Sequence, residues 1–349
     1  MPRIISWNTT LRCNLRCSHC YINARNDEIA NELSTAEGKR LIDQIADLSK
    51  IILVFSGGEP LLRPDIFELA QYATQKGLVA TLGTNGTLID EAVARRLREV
   101  GVRTVAISID SSTPKLHDDL RGVPGAWNRA LEGVNSCLKN KVKVQFNVTM
   151  TKQNYNELDN ILQMAEEMEV KSIHLFFLVP TGRGKDMKDL SPATYETLLR
   201  KVLTRQKGSV DVKPTCAPQF MRIAKELDLE MSRYGRGCIA GISYCRIMPE
   251  GSVTPCPYLP VKVGNIRIAP LKDIWANSPL LNSLRNFHNL KGKCGDCDYR
   301  STCGGCRARA YGLVNYCSGA CTSDKEQAGI SDIFAEDPWC TYQPAVINQ

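Results

Sequence analysis

The first 180 residues alternate between two hydrophobic periods. Short runs rich in β-branched and aromatic residues lie at 4–9 (IISWNT), 51–57 (IILVFSG), 79–84 (VATLGT), 104–110 (TVAISID), 142–149 (VKVQFNVT) and 172–178 (SIHLFFL), and they read as strands. Between them, apolar residues recur at helical spacing. The first helical segment opens with a capping box, Ser34 and Glu37. In the second, Ile66, Leu69, Ala70 and Ala73 share one face and Gly77 marks the stop. A third runs over 90–101, ending at Gly101, and a fourth carries Cys137 as a small buried hydrophobe. Six βα units in series imply a parallel sheet covered by helices, either a partial barrel or a doubly wound sheet. Both put their ligands at the C-terminal ends of strands. The distinctive residues fall there: NTTLRCNLRC after the first strand, SGGEP after the second, GTNGT after the third and SIDSSTP after the fourth.

The pattern breaks near residue 180. One more helix is expected over 193–206, and after about 210 the chain turns rich in Cys, Gly and Pro. The division expected is 1–205 and 206–349. A segment so poor in periodicity needs staples, and thiolate-bound clusters would supply them. The totals, 43% hydrophobic and 23% charged over 349 residues, are globular values. No apolar run reaches the length of a membrane span, and MPRIISWNTT has no signal-peptide pattern, so a cytoplasmic protein is expected. The net charge of +7 comes without a basic stripe, which argues against nucleic acid and for anionic substrates.

Fifteen cysteines in a reducing compartment should not be disulfides. Three lie at 13, 17 and 20, and eleven lie between 216 and 340. Such clustering reads as metal ligation. Cys13, Cys17 and Cys20 have the spacing C-x3-C-x2-C. Three thiolates on one short loop would hold three irons of a cubic 4Fe–4S cluster, leaving the fourth iron open to another ligand. A zinc knuckle completed by His19 is the alternative, but His19 lies between two of the cysteines, where folding back would strain the loop.

With Tyr21 following the triad, this loop resembles the signature of the radical S-adenosylmethionine (SAM) enzymes. The resemblance implies a partial (β/α)6 TIM-like barrel over roughly 4–180. It also implies a 4Fe–4S cluster whose open iron chelates SAM and whose electron releases a 5′-deoxyadenosyl radical. SGGEP matches a segment of the same family, so Gly57, Gly58, Glu59 and Pro60 would meet the methionyl amino group. Two glycines permit close backbone approach, and a carboxylate suits an ammonium. Ser108 and Arg121 would contact the ribose and the SAM carboxylate, and Asn85 and Asn147 lie in further matching segments.

The C-terminal cysteines resemble the SPASM-type auxiliary domain of the family, with Cys238, Gly251 and Cys256, then Cys294, Cys297, Cys303 and Cys306, then Cys340. One spacing departs from that pattern: Cys303 and Cys306 are separated by two residues, not three. The resemblance implies one or two auxiliary 4Fe–4S clusters. One would use Cys238, Cys256 and Cys306, with Cys216 or Cys245 as fourth ligand. The other would use Cys294, Cys297, Cys303 and Cys340. Structural zinc on the same thiolates is the alternative.

The stretches 248–267, 293–312 and 332–344 resemble the tetrapyrrole branch, whose members make heme or heme d1 from siroheme. Within it the nearest likeness is to the heme synthases, which implies conversion of two propionates of Fe-coproporphyrin III to vinyls with release of carbon dioxide. An auxiliary cluster would accept the electron, and a small donor such as ferredoxin or flavodoxin would feed the SAM cluster. Arg183, Arg307 and Arg309 are candidate carboxylate partners, and His174 and His288 are candidate ligands of the substrate iron. The piece 313–331, with Cys317 and Cys321, would cap the substrate mouth or form another metal site. Three alternatives stay open. Removal of acetates from didecarboxysiroheme is one. A peptide maturase is another, although the N-terminal peptide-binding extension usual in maturases is not expected in a chain that opens three residues before its first strand. The last is a zinc-binding scaffold without enzymatic activity.

Overall fold

The computed structural model describes residues 1–27, 30–187, 189–205, 208–230, 235–314 and 332–344. Six expected strands form: β1 (Ile4–Asn8), β2 (Ile52–Ser56), β3 (Val79–Thr84), β4 (Thr104–Ser108), β5 (Lys143–Met150) and β6 (Ser172–Phe177). The helices that cross between them are α1 (Thr35–Ala46), α2 (Ile66–Gln75), α3 (Glu91–Glu99), α4 (Pro114–Arg121), α5 (Ala126–Lys139) and α6 (Leu158–Glu167). The capping box of Ser34 and Glu37 opens α1 as expected. Strands β1 to β6 pair in chain order and in parallel.

The sheet is larger than six strands. Past α7 (Pro192–Thr204), β7 (Asp211–Thr215) pairs in parallel with β6. After α8 (Phe220–Glu226), β8 (Tyr244–Ile247) returns to the other edge and pairs in parallel with β1. Strands β9 (Ser252–Thr254) and β10 (Gly264–Asn265) then add antiparallel. The order is β10-β9-β8-β1-β2-β3-β4-β5-β6-β7, and the sheet does not close. The segments on either side of residue 205 thus share one sheet. The remaining helices are α9 (Leu271–Asn277), α10 (Pro279–Arg285), the single turn α11 (Gly292–Gly295) and α12 (Arg307–Val314).

Strand residues alternate between two faces. The outer set is apolar and wholly covered by helices, as with Ile5, Trp7, Leu53, Phe55, Phe146 and Ile173. The inner set is half-buried and largely polar: Ser56, Thr81, Ser108, Gln145, Asn147 and His174. That face is a polar hollow roofed by the loops at the strand ends.

One acid-sensitive tie holds α7 to α8. Glu196 accepts from Arg222 Nη2 at 2.6 Å and Arg200 Nη2 at 2.8 Å, and from Thr341 near the C-terminus. Burial disfavours its charge, but these bonds prevail and hold the carboxyl at about 2, against an ordinary 4.5. A lowered carboxyl pKa adds stability above the ordinary value and loses it as pH falls through the lowered one. Stability should therefore drop between pH 4.5 and pH 2. In Glu196→Gln part of that drop disappears, so urea unfolding at pH 7 and pH 3 should show the two proteins converging in acid.

Candidate metal and SAM site

The loop after β1 is clamped from several sides. Cys13 N donates to Arg25 O at 2.8 Å, and Ser18 N donates to Leu120 O at 2.9 Å. Arg183, on the loop after β6, donates through its backbone N to Cys20 O, and through Nε and Nη1 to Cys17 O and Ala24 O, both at 2.8 Å. Arg183 is thus engaged on the cysteine loop. Cys13, Cys17 and Cys20 surround a small apolar cluster of Leu15, Ala24 and Ala126. Burial first, then the charges of Glu59, Cys17 and Cys20, push the Cys13 thiol up to about 12.

SGGEP packs directly on this loop. Gly58 N donates to Thr10 O at 2.8 Å and Glu59 N to Arg12 O at 2.7 Å. A Cβ on Gly58 would lie 2.1 Å from Arg12 O, and one on Gly57 would lie 2.4 Å from Thr10 O. Gly57 also has φ +138°, which favours glycine. The paired glycines therefore permit loop-on-loop contact. Glu59 is wholly buried and accepts from Thr84 Oγ1 at 2.8 Å, Asn85 N at 2.8 Å and Leu61 N at 3.1 Å. Burial raises its carboxyl to about 7. Its side chain braces the end of β3, and Pro60 begins a 3-10 turn beneath it. Asn85 Nδ2 donates to Asn14 Oδ1 at 2.8 Å and points at Cys13 Sγ, 4.0 Å away.

Arg121 and Asp110 lie across the loop. Arg121 Nη2 stands 2.7 Å from Asp110 Oδ2, and Nη1 donates to Cys17 Sγ at 3.7 Å. Asp110 is wholly buried, accepts from Thr149 N and faces His19 Nε2 at 3.4 Å. Engagement with Asp110 draws the His19 ring away from the knuckle role. Half-buried Tyr21 packs against Tyr258, with ring centroids 5.2 Å apart, and its hydroxyl donates to Asn8 Oδ1 at 3.4 Å. Ser108 and Asn147 are register partners on the inner face.

Unpartnered buried donors gather at this loop: Asn8 Nδ2, Arg12 Nε and Arg121 Nε. Donors without acceptors, beside a Cys13 and a Cys17 thiol whose ionisation burial opposes, suit an anionic ligand and a metal that neutralises sulfur. The residues present fit an iron–sulfur cluster and the carboxylate of SAM.

Two further groups of thiols lie in the C-terminal segment. Cys216 is driven well above its ordinary value by burial and by the nearby Cys306, Cys256 and Cys238. Cys256 is pushed up to about 12 by burial, then by Cys306 and Cys238. Cys216, Cys238, Cys256 and Cys306 are one set, and the short spacing before Cys306 does not remove it. The second set, Cys294, Cys297, Cys303 and Cys340, lines one cavity together with Arg222 and Tyr299. Among the described residues no three His, Cys, Asp or Glu side chains are placed to share one ion. A cavity ringed by four thiols suits a polynuclear cluster.

Asp337 joins the two sets, a role the sequence pattern missed. It is wholly buried, accepts from Cys306 N at 2.7 Å and donates through its own N to Cys294 Sγ at 3.4 Å. Arg309 balances its charge at 3.1 Å and lies over the Trp339 ring. Arg307 donates to Ile333 O, Ala335 O and Cys294 Sγ. Both arginines thus serve the thiol sets instead of meeting substrate carboxylates. In the sequence Asp337 stands only as one residue of the stretch 332–344, three positions before Cys340.

Cys245 is the correction. Expected among the auxiliary ligands, it points from β8 into the main core, wholly buried, and Arg285 is the charge that bears on it. Its neighbours on β8, Tyr244 and Arg246, alternate to the opposite face. Cys245→Ala should leave the iron content unchanged, whereas Cys216→Ala should lower it by up to about four irons per chain. Iron and sulfide analysis separates these outcomes. Cys317 and Cys321 lie outside the described residues.

Residues 7–165 match the radical SAM superfamily, and residues 238–298 match SPASM, an iron–sulfur cluster-binding domain. The AdoMet-dependent heme synthase of Methanosarcina barkeri (strain Fusaro) is 40% identical, with 98% of this chain and 97% of the relative covered. The Fe-coproporphyrin III synthase of the same strain is 35% identical over 93% of this chain and 89% of its own. Among solved structures, Streptococcus suis SuiB bound to S-adenosylmethionine superposes with a TM-score of 0.76 at 22% identity, covering 98% of this chain and 78% of that one.

Proposed function

From the premise that this chain belongs to the radical SAM superfamily, in its heme synthase family, we propose that it converts two propionates of Fe-coproporphyrin III to vinyls, giving heme b. What most supports this reading is the end-to-end similarity to a heme synthase, together with a thiol inventory sufficient for three clusters. Each propionate would lose one hydrogen atom, one electron and carbon dioxide. When bound, the first cluster and SAM supply the radical chemistry of hydrogen removal.

The chain's own residues would bind, orient and exclude water. Cys13, Cys17 and Cys20 would hold the SAM cluster. Asn8, Arg12 and Arg121 would offer donors to the SAM carboxylate, with Asp110 fixing the Arg121 fork. Ser108, Asn85 and Asn147 would line the nucleoside side, and Tyr21 would close the site against Tyr258. Glu59, Gly57, Gly58 and Pro60 would set the position of the cysteine loop. The auxiliary ligands would be Cys216, Cys238, Cys256 and Cys306 in one set and Cys294, Cys297, Cys303 and Cys340 in the other. A small electron-donor protein would supply the reducing electron. Among the described residues no helix is long and apolar enough to cross a membrane.

The test is anaerobic incubation of the reconstituted protein with SAM, a reductant and Fe-coproporphyrin III. The expected products are 5′-deoxyadenosine and a porphyrin lighter by two carboxyl groups. SAM cleavage without mass loss, coupled with acetate loss from didecarboxysiroheme, would favour deacetylation. The similarity to an Fe-coproporphyrin III synthase is what supports that second reading.

A further inference from the structure

Beyond the residues assigned to SAM, the polar hollow continues across β5, β6 and β7. The register pairs Ser108 with Asn147, Asn147 with His174, and His174 with Lys213. Residues paired at one level point to the same face. Ile173 and Leu175, on either side of His174, are wholly buried under the helices. His174 and Lys213 therefore face the hollow, one and two strands from Asn147.

Neither side chain has a hydrogen-bond or ion-pair partner among the described residues. A half-buried ammonium without a carboxylate is costly to keep charged, and burial does lower the Lys213 pKa, against the pull of Asp211. Burial, and then the charge of Lys213, push His174 down to about 4, so its imidazole is neutral at ordinary pH. Neutral imidazole is a good iron ligand.

The chain has four histidines, and the other three fit this role poorly. His19 faces Asp110 at 3.4 Å, and His117 accepts from Asp110 N at 3.2 Å. His288 sits on a 3-10 turn of the C-terminal segment and not on a strand of the sheet.

We propose that His174 ligates the iron of the tetrapyrrole substrate and that Lys213, on the next strand, binds one of its peripheral carboxylates. This rests on the tetrapyrrole reading above. A lysine stem is long and flexible, which lets its charge reach from the level of the iron to the rim of the macrocycle. Together the two residues fix the ring at its centre and at its edge, so that one propionate is held while another is presented to the SAM side of the hollow.

The holoprotein, labelled with 15N-histidine, is mixed with ferric coproporphyrin III, and electron paramagnetic resonance is used to detect histidine nitrogen coupled to iron. Coupling is expected in the wild type, and it should vanish in His174→Ala with a shift of the Soret band. Added imidazole should restore the wild-type band. Metal-free coproporphyrin should bind His174→Ala as it binds the wild type. Lys213→Met should weaken binding of both porphyrins roughly ten- to a hundredfold, with Lys213→Arg close to wild type. Absence of histidine coupling in the wild type overturns the inference even if His174→Ala fails to fold, and so does an unchanged spectrum in that variant. A wild type that decarboxylates without such coupling sinks this inference alone. Coupling without decarboxylation sinks the reaction assignment alone.

Discussion

Cys17→Ala should abolish reductive cleavage of SAM and leave the absorbance of the auxiliary clusters in place. Two thiols do not hold a cubane whose fourth iron is already without a protein ligand. Iron should fall by about four per chain, from about twelve, by the arithmetic of four-iron clusters. The loop backbone should persist, because its clamps from Arg183, Leu120 and Arg25 do not use the Cys17 side chain. Arg121 loses its contact to Cys17 Sγ but keeps Asp110 at 2.7 Å. Formation of 5′-deoxyadenosine by this variant would mean that the cluster is held elsewhere.

Gly58→Ala tests the brace instead of a ligand. The added methyl would sit 2.1 Å from Arg12 O, a backbone atom that cannot rotate aside. Either SGGEP or the cysteine loop must move, and both Gly58 N–Thr10 O and Glu59 N–Arg12 O then break. Overpacking of this kind costs about 1–3 kcal/mol. Because Cys13 follows Arg12 directly, the larger consequence falls on the cluster. The expected result is loss of the SAM cluster and of 5′-deoxyadenosine formation, with both auxiliary sets still loaded. Thermal unfolding with iron analysis reads both effects. Full iron loading and wild-type cleavage would show that the close loop contact does not position the ligands.

The strands were legible because their period of two is local, and β1 to β6 fall within two residues of the positions read from the chain. Strands β7 and β8 were not. β7 contains Pro214, and β8 is four residues long without clear alternation. Pairing defines them, β7 with β6 across 39 residues (Ser172 with Asp211) and β8 with β1 across 240 (Ile4 with Tyr244), and neither pairing leaves a local trace. The cysteine triad was legible for a similar reason: its spacing lies within one loop. The auxiliary sets draw on distant segments, so nothing local separated Cys245 from Cys216. The structural partners of Arg183, Arg307 and Arg309 were not legible, because backbone carbonyls, a Cys294 sulfur and the Asp337 carboxylate reach them from distant segments.

The pairing of β8 with β1 has a consequence for biosynthesis. On the ribosome, strand β1 keeps one edge bare until some 240 further residues have been made. An open edge of that kind recruits other chains. A fragment ending near residue 205 is therefore expected to clump instead of folding, and the nascent polypeptide needs chaperone cover until its late strand arrives.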